Sequence, residues 1–255
     1  MSDLFVSHIE PKFAKAPLAL RRDEGHAPLG GIVQASGLPM ALAFGRPVAP
    51  APFSPAYGLA KRIMDIVISA AALVFLAPLF LLVALAIKLT SSGPVLFVQM
   101  REGYRGRPFG ALKFRSMHEL ACDASGVAQT VADDPRVSPI GRFLRASNID
   151  ELPQLLNVLR GEMSLVGPRP HVAGMTAGGM LYRDLVPYYD LRLQALPGLT
   201  GWAQANGYRG PTRDGISARA RIDHDIAYLQ NASIWLDIKI VLLTLRRELL
   251  GGSGL

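Results

Sequence analysis

Residues 66–87 read IVISAAALVFLAPLFLLVALAI, an uncharged run long enough for a bilayer, whose hydrocarbon core takes about 20 apolar residues. Two features argue against a simple crossing. Pro78 stands near the middle, where a helix loses a hydrogen bond and kinks or breaks. Cations flank both ends, Lys61 and Arg62 before the run and Lys88, Arg101, Arg105 and Arg107 after it, and positive flanks stay on the cytoplasmic side. A helix that enters, turns at Pro78 and leaves meets both conditions, so a re-entrant membrane helix is expected over 57–90. A kinked through-span is the competing reading. Lys61, Arg62 and Asp65 lie at the mouth of this helix, either to hold a lipid phosphate or simply to anchor the helix.

The rest of the chain suits such a helix. It has 255 residues, half of them hydrophobic, with a formal charge of +7, a mean hydropathy of +0.25 and a pI near 9.8. A basic, apolar chain fits an anionic membrane surface and anionic substrates. No zinc-finger spacing or RNA-binding aromatic signature supports nucleic acid as a partner. Cys122 is the only cysteine, which excludes an intrachain disulfide and fits a reducing compartment. The first residues lack the basic-then-apolar pattern of a secretory signal. Residues 1–56, rich in Pro, Ala and Gly, are expected to be a flexible cytosolic extension, and 251–255 a flexible tail. Between them, 91–250 reads as an α-rich α/β domain associated with the membrane. Strands are expected at 95–99 and 109–114 and a helix at 151–159. Two amphipathic helices, at 181–196 and 234–250, carry aromatic and basic residues that suit the headgroup layer or an ordinary core.

Chemistry concentrates in Ser147-Asn148-Ile149-Asp150-Glu151-Leu152-Pro153-Gln154-Leu155. Pro153 is tolerated only in a first helical turn, so Asp150 and Glu151 sit at or just before a helix start. Free N–H groups there favour a carboxylate and a bound phosphate alike. Arg142 and Arg145 precede the pair, and Gly167-Pro168-Arg169-Pro170 follows it. A carboxylate nucleophile beside an anion site points to phosphoryl chemistry; the plain alternative is two acidic residues capping a helix. Other acidic and soft groups invite less. Asp133-Asp134 before Pro135 reads as a solvated turn. His118 and Cys122 lack further metal ligands, and His224-Asp225 reads as a surface pair.

Several motifs in one order surround the pair. They are Lys61-Arg62 with Asp65, Gly93-Pro94-Val95-Leu96-Phe97 with Gln99 and Arg101, and Lys113-Phe114-Arg115-Ser116-Met117. Asp134-Pro135-Arg136-Val137, Asp150-Glu151-Leu152-Pro153-Gln154-Leu155, Gly167-Pro168-Arg169-Pro170 and Pro197-Gly198-Leu199-Thr200-Gly201-Trp202-Ala203-Gln204 follow. Over residues 57–250 the chain resembles the bacterial sugar transferases, the monotopic phosphoglycosyl transferases. That resemblance implies transfer of a sugar 1-phosphate from a UDP-sugar to a polyprenyl phosphate, undecaprenyl phosphate foremost, with release of UMP. It implies an inner-membrane enzyme facing the cytoplasm that starts exopolysaccharide or capsule assembly, and it admits a dimer. Asp150 is the expected nucleophile and Glu151 the expected contact to Mg²⁺, a cation that prefers oxygen ligands. Lys113, Arg145 and Arg169 are the expected phosphate contacts, with Arg115, Gln204 and Arg209 added to the substrate set. Pro78 is matched, although Ala77 stands where the family commonly has a serine. Tyr208 within Asn206-Gly207-Tyr208-Arg209-Gly210, with Pro170-His171, looks closest to the branch that transfers glucose 1-phosphate. Galactose or an N-acetylated sugar is the alternative donor, and a non-enzymatic interaction protein that keeps the fold is the other class.

Overall fold

A computed structural model of the chain describes residues 31–43, 46–118, 134–210, 212 and 214–251. Residues 1–30 of the expected extension, residues 252–255 of the tail, Cys122 and Asp133 lie outside them.

Helix α1 (Pro55–Thr90) contains the apolar run. The Ser54 hydroxyl accepts from the Tyr57 N–H at 3.2 Å, and Pro55 takes the first turn, where its missing N–H costs nothing. At 1.5 Å per residue the helix is about 54 Å long, and in length and composition it could cross a membrane. It continues through Pro78 as one helix rather than turning there. The carbonyl that Pro78 leaves without a partner belongs to Val74, an outward-facing residue.

One stripe of α1 faces the body of the protein along its whole length. Lys61, Asp65, Ser69, Val83 and Ile87 are buried, and Ala72, Leu73, Leu76 and Phe80 are partly covered. Spacings of three and four place these residues on one face. The opposite face stays apolar and bare, with Val74 78 %, Phe75 83 % and Leu81 71 % exposed. Both ends dock on the same body. Near the start, Lys61 pairs with Asp237 at 3.0 Å and the Asp65 carboxylate accepts from the Leu165 N–H at 3.0 Å. Near the end, Val83 and Ile87 pack with Phe114 and Leu144.

The body is mixed, with nine strands in four small sheets and six further helices among the described residues. Strands β4 (Leu96–Glu102) and β5 (Pro108–Phe114) form an antiparallel hairpin, as expected, in register from Leu96 opposite Phe114 to Glu102 opposite Pro108. Helices α2 (Pro139–Ala146) and α3 (Gln154–Arg160) follow. Strand β6 (Ser164–Val166) pairs in parallel with β9 (Gly198–Thr200). This pairing explains the glycines of two motifs. A Cβ on Gly198 would stand 2.1 Å from the Gly167 nitrogen, and one on Gly201 would stand 2.3 Å from the Gly167 carbonyl oxygen. Only bare backbone fits there.

Three expectations are corrected. Part of the presumed flexible extension is ordered: β1 (Gly31–Ala35), β2 (Leu38–Ala43) and β3 (Arg46–Pro47) form a sheet. It lies on α6 (Gly215–Gln230), where Ala35 and Met40 join the core of Ile222, Ile226 and Tyr182. Its period-two alternation is short and broken by a Ser36-Gly37 turn in which both residues take positive φ, so the composition masks it. Residues 181–196 are not one helix. Strands β7 (Thr176–Ala177) and β8 (Met180–Leu181) lead into the short helix α4 (Tyr182–Leu185). Pro187 then holds Val186 extended, and a 3₁₀ turn follows over Tyr189–Gln194. Tyr182, Tyr189, Arg192 and Leu193 are buried, so this stretch is core. His224 and Asp225 are likewise buried rather than a surface pair: His224 Nε2 bonds the Ser36 hydroxyl at 2.6 Å and Asp225 takes the Arg192 guanidinium at 2.9 Å. The last helices are α5 (Trp202–Ala205) and α7 (Ile234–Gly251), and α7 exposes Trp235, Leu242 and Leu245 while burying Leu236 and Ile240.

Candidate active site

The site forms where α2 hands over to α3. The Ser138 hydroxyl caps α2 by accepting from the Gly141 N–H at 3.0 Å. A Cβ on Gly141 would lie 1.8 Å from the Ser116 carbonyl oxygen, so that glycine seats α2 directly on the end of β5. One turn on, Arg145 donates from Nε to the Ser116 hydroxyl at 2.8 Å. The chain reverses at Asn148, in the left-handed region at φ 54, and enters a 3₁₀ turn, Ile149–Glu151. Pro153 then opens α3. Asp150 and Glu151 therefore precede a proline-started helix, as the sequence reading required.

The two adjacent carboxylates have opposite surroundings. Glu151 is clamped: Oε1 accepts from Lys113 Nζ at 2.8 Å and from Arg169 Nη2 at 2.6 Å, and Oε2 accepts from Arg169 Nη1 at 2.9 Å. Burial alone would raise its pKa, but Arg169 and Lys113 outweigh burial and hold it well below the usual carboxylate range. Asp150 is buried at 6 % exposure, and among the described residues no side chain makes a hydrogen bond or ion pair with its carboxylate. Burial, with the neighbouring Glu151 charge, pushes Asp150 up to about 6 against the pull of Lys113, Arg145 and Arg169. Lys113 is pushed down by its own burial, and Arg169 is raised by Glu151.

Arg169 is held from behind. Pro168 and Pro170 flank it, fix the backbone and remove two N–H groups. Four consecutive carbonyls each accept a bond from a different place. Pro168 O takes the Gly198 N–H at 2.9 Å, Arg169 O takes the Arg192 guanidinium, Pro170 O takes Arg101 Nη1 at 2.9 Å, and His171 O takes the Glu102 N–H at 2.8 Å. Arg192 is itself fully buried on Asp225. His171 sits in the core with Nδ1 on the Tyr189 hydroxyl at 3.0 Å. A planar guanidinium aimed this way presents fixed donors for a carboxylate or a phosphate.

Of the expected site residues, Lys113, Asp150, Glu151 and Arg169 come together, with Arg145 alongside. The others make no bond to Asp150 or Glu151 among the described residues. Arg115 is buried and donates to Ser91 Oγ at 2.8 Å and to the Ser91 and Ser92 carbonyls, closing the end of α1. Gln204 is buried and donates to the Leu199 carbonyl at 3.4 Å. Arg209 pairs with Glu248. Lys61 and Asp65 are the helix anchors described above. Arg62 donates to the Val158 and Leu159 carbonyls at 2.6 and 2.8 Å, which satisfies the end of α3. Asp134 closes a turn on Arg136 at 2.6 Å, buried rather than solvated.

Arg101 belongs to the site, although the sequence reading named it only as a cation flanking the apolar run and as a motif member. Its charge couples to Arg169 and Glu151, and burial first, then Arg169, lowers its pKa to about 10. Strand parity carried the signal, because Phe97 pairs with Lys113 and Arg101 lies four residues on from Phe97, so both cations lie on one face of the hairpin.

Comparison with known proteins identifies the family. The model of the family described as bacterial sugar transferase matches residues 56–251. The chain is 55 % identical over 194 residues to "Exopolysaccharide production protein PSS" of Rhizobium leguminosarum bv. phaseoli, covering 76 % of this chain and 97 % of the relative. It is 53 % identical over 199 residues to "UDP-glucose:undecaprenyl-phosphate glucose-1-phosphate transferase" of Caulobacter vibrioides, covering 78 % and 73 %. It is also 53 % identical over 193 residues to "Undecaprenyl-phosphate glucose phosphotransferase" of Komagataeibacter xylinus, covering 75 % of this chain but 36 % of that longer protein.

Proposed function

The chain belongs to the bacterial sugar transferase family, and on that premise we propose that it moves glucose 1-phosphate from UDP-glucose to undecaprenyl phosphate. The observation that carries this reading is the split carboxylate pair: Glu151 is locked by Lys113 and Arg169, and Asp150 beside it has no side-chain hydrogen bond or ion pair among the described residues. Among the described residues Lys113, Arg101, Arg145 and Arg169 gather around the two carboxylates, cations that suit the phosphates of a nucleotide sugar. Neighbouring carboxylates whose surroundings drive their pKa values apart have separate tasks. Glu151 orients the cations. Asp150 is the nucleophile, ionised above pH 6 with no need for a base.

In the first half-reaction an Asp150 oxygen bonds to the sugar-bearing phosphorus, the phosphoanhydride bond breaks, and UMP leaves with the electron pair. In the second, an undecaprenyl phosphate oxygen attacks the same phosphorus and the Asp150 carboxylate is released. Both displacements start from anions, so no proton has to be moved. Lys113, Arg145 and Arg169 stabilise the charge that builds on the phosphoryl oxygens.

Mg²⁺ is part of this proposal. Among the described residues no three metal-ligating side chains cluster, and the ion would have to be held by one or two carboxylates and the substrate's own phosphates. Glu151 Oε2 accepts a single bond and keeps a lone pair for it, with Asp150 adjacent. When bound, the ion would neutralise phosphate charge.

The setting is the cytoplasmic face of the bacterial inner membrane. α1 offers a bare apolar face while both its ends bond to one body, which supports a helix that beds that face in the membrane with the catalytic part on one side. The exposed Trp235, Leu242 and Leu245 of α7 suit the headgroup layer.

The test is intact-protein mass after mixing purified enzyme with Mg²⁺ and UDP-glucose, without lipid acceptor. A gain matching phosphoglucose, absent in Asp150→Asn, is expected. UMP release on adding undecaprenyl phosphate with no adduct at any time would instead favour direct displacement. UDP-galactose and UDP-N-acetylated sugars in parallel assign the donor.

A further inference from the structure

The proposed nucleophile lies on a turn whose starting residue is under an unusual constraint. Asn148 holds φ 54 with ψ 14 and directly precedes the 3₁₀ turn of Asp150 and Glu151. Left-handed backbone is disfavoured for any residue with a Cβ, least so for asparagine, and persists where the surroundings enforce it. The backbone bonds of the turn are weak and local: Asn148 N–H reaches the Arg145 carbonyl at 3.2 Å, and Glu151 N–H reaches the Asn148 carbonyl at 3.3 Å. The long-range bond from Asn148 is its carboxamide Nδ2, which donates to Glu248 Oε2 at 2.9 Å, one hundred residues away.

Glu248 is well placed for that task. It stands near the end of α7, and its other oxygen takes the Arg209 guanidinium. Its neighbour Arg247 donates to the Gln204 and Ala205 carbonyls at 3.0 and 3.2 Å. The last turns of α7 thus fasten the 204–209 segment on one side and the catalytic turn on the other. Arg209 fixes the Glu248 carboxylate, and the carboxylate fixes Asn148.

We infer that Glu248 is a positioning residue: through Asn148 it sets the backbone of the Ile149–Glu151 turn and so the aim of the Asp150 carboxylate. This rests on Asp150 being the nucleophile, as proposed above. Glu248 would act on the alignment of attack and little on the affinity for the nucleotide sugar, which the cation cluster governs. A nucleophile displaced by about 1 Å loses on the order of a hundredfold in rate.

The experiment follows adduct formation in single turnover, with steady-state UMP release alongside, for wild type, Glu248→Ala, Glu248→Gln, Asn148→Gly and the double variant Asn148→Gly/Glu248→Ala. Glycine tolerates the left-handed backbone and removes only the carboxamide. Expected are losses of about 10- to 100-fold in the rate of adduct formation for Glu248→Ala and Asn148→Gly, with KM for UDP-glucose within about threefold. The double variant should be no slower than the worse single one, because both remove one bond. Glu248→Gln, whose amide oxygen can still accept from Asn148, should recover most of the rate. The inference is overturned if Asn148→Gly, folded by thermal melting, forms adduct within about twofold of wild type, or if the single losses multiply. If Glu248→Ala fails to fold, Asn148→Gly decides. If wild type turns over with no adduct, the covalent reading fails on its own, and the same ratios are judged on UMP release.

Discussion

Replacing each member of the Asp150–Glu151 pair by its amide should move stability in opposite directions. Asp150 has its pKa raised from 3.8 to about 6, chiefly by burial. As pH rises, the unfolded chain loses this proton near pH 4 and the folded chain only near pH 6, so stability falls across that window and stays lower above it. The shift corresponds to about 3 kcal/mol at neutral pH. Asp150→Asn, a neutral side chain of the same size, removes that cost. It should be about as stable as wild type near pH 4 and more stable by up to about 3 kcal/mol at pH 7, while forming no adduct. Glu151 is the reverse case. Its folded pKa is lowered by Arg169 and Lys113, so it contributes stability above the unfolded carboxylate pKa that is lost as pH falls. Glu151→Gln leaves both cations without their anion and should cost about 3 kcal/mol at pH 7. Urea unfolding in detergent micelles from pH 4.5 to 8 measures both differences against wild type, so that other carboxylates cancel. An Asp150→Asn protein less stable than wild type at pH 7, or a difference that does not change with pH, would sink the argument and make Asp150 a structural anchor.

The same proton should appear in kinetics. The kcat/KM for UDP-glucose, which reports free-enzyme groups, is expected to fall on the acid side with an apparent pKa near 6, and a flat profile from pH 5 to 7 would contradict an Asp150 nucleophile. Arg169→Lys keeps the charge but loses the two-oxygen grip on Glu151; kcat/KM should drop on the order of a hundredfold, and near-normal activity would show that charge alone suffices. Gly198→Ala drives a methyl to 2.1 Å from the Gly167 nitrogen, so the β6–β9 pair must part; a melting temperature unchanged from wild type would refute the close approach. Residues 91–251 made without α1 should lack cooperative unfolding, because Lys61, Arg62 and Asp65 bond into α7, α3 and β6; a folded, UDP-glucose-binding fragment would show α1 to be attachment only.

Legibility tracked locality. The hairpin of β4 and β5, the proline-started α3 and the apolar helix were readable because strand alternation, Pro153 and an uncharged run act within a few residues of themselves. The ordered 31–43 segment was hidden because its partners, His224 Nε2 and the Trp202 indole N–H that donates to the Ala35 carbonyl at 3.0 Å, lie far along the chain. Pro187 was legible and should have ended the expected helix over 181–196; the periodic tyrosines and leucines outweighed it. Within the site, motif membership singled out Lys113, Arg145 and Arg169 but could not separate a cation that faces the carboxylates from one that holds the fold. Arg115 shares a motif with Lys113, and strand alternation alone would put the two on one face, but β5 ends at Phe114 and Arg115 closes the end of α1 instead.

The residues of α1 near its mouth show why that distinction matters for the enzyme. A lysine, an arginine and an aspartate ahead of an apolar run look like charges for lipid headgroups. With Lys61 and Asp65 buried and Arg62 partly so, they instead reach three elements that carry the candidate site. Arg62 holds the end of α3, whose start carries Pro153 behind the carboxylate pair. Asp65 holds Leu165 on β6, two residues before the Gly167-Pro168-Arg169 turn. Lys61 shares Asp237 with Tyr57 and Tyr228, fixing α7, the helix that ends on Glu248 and Asn148. Each of these charges desolvates on docking, which costs free energy unless its partner is correctly placed. The apolar helix therefore settles only in the register that also sets Arg169, α3 and α7. On the function proposed above, an enzyme that joins a water-soluble sugar nucleotide to a lipid phosphate needs its nucleophile at a fixed height above the membrane. Tying the membrane helix and the catalytic turn to the same backbone segments gives that height without any separate device.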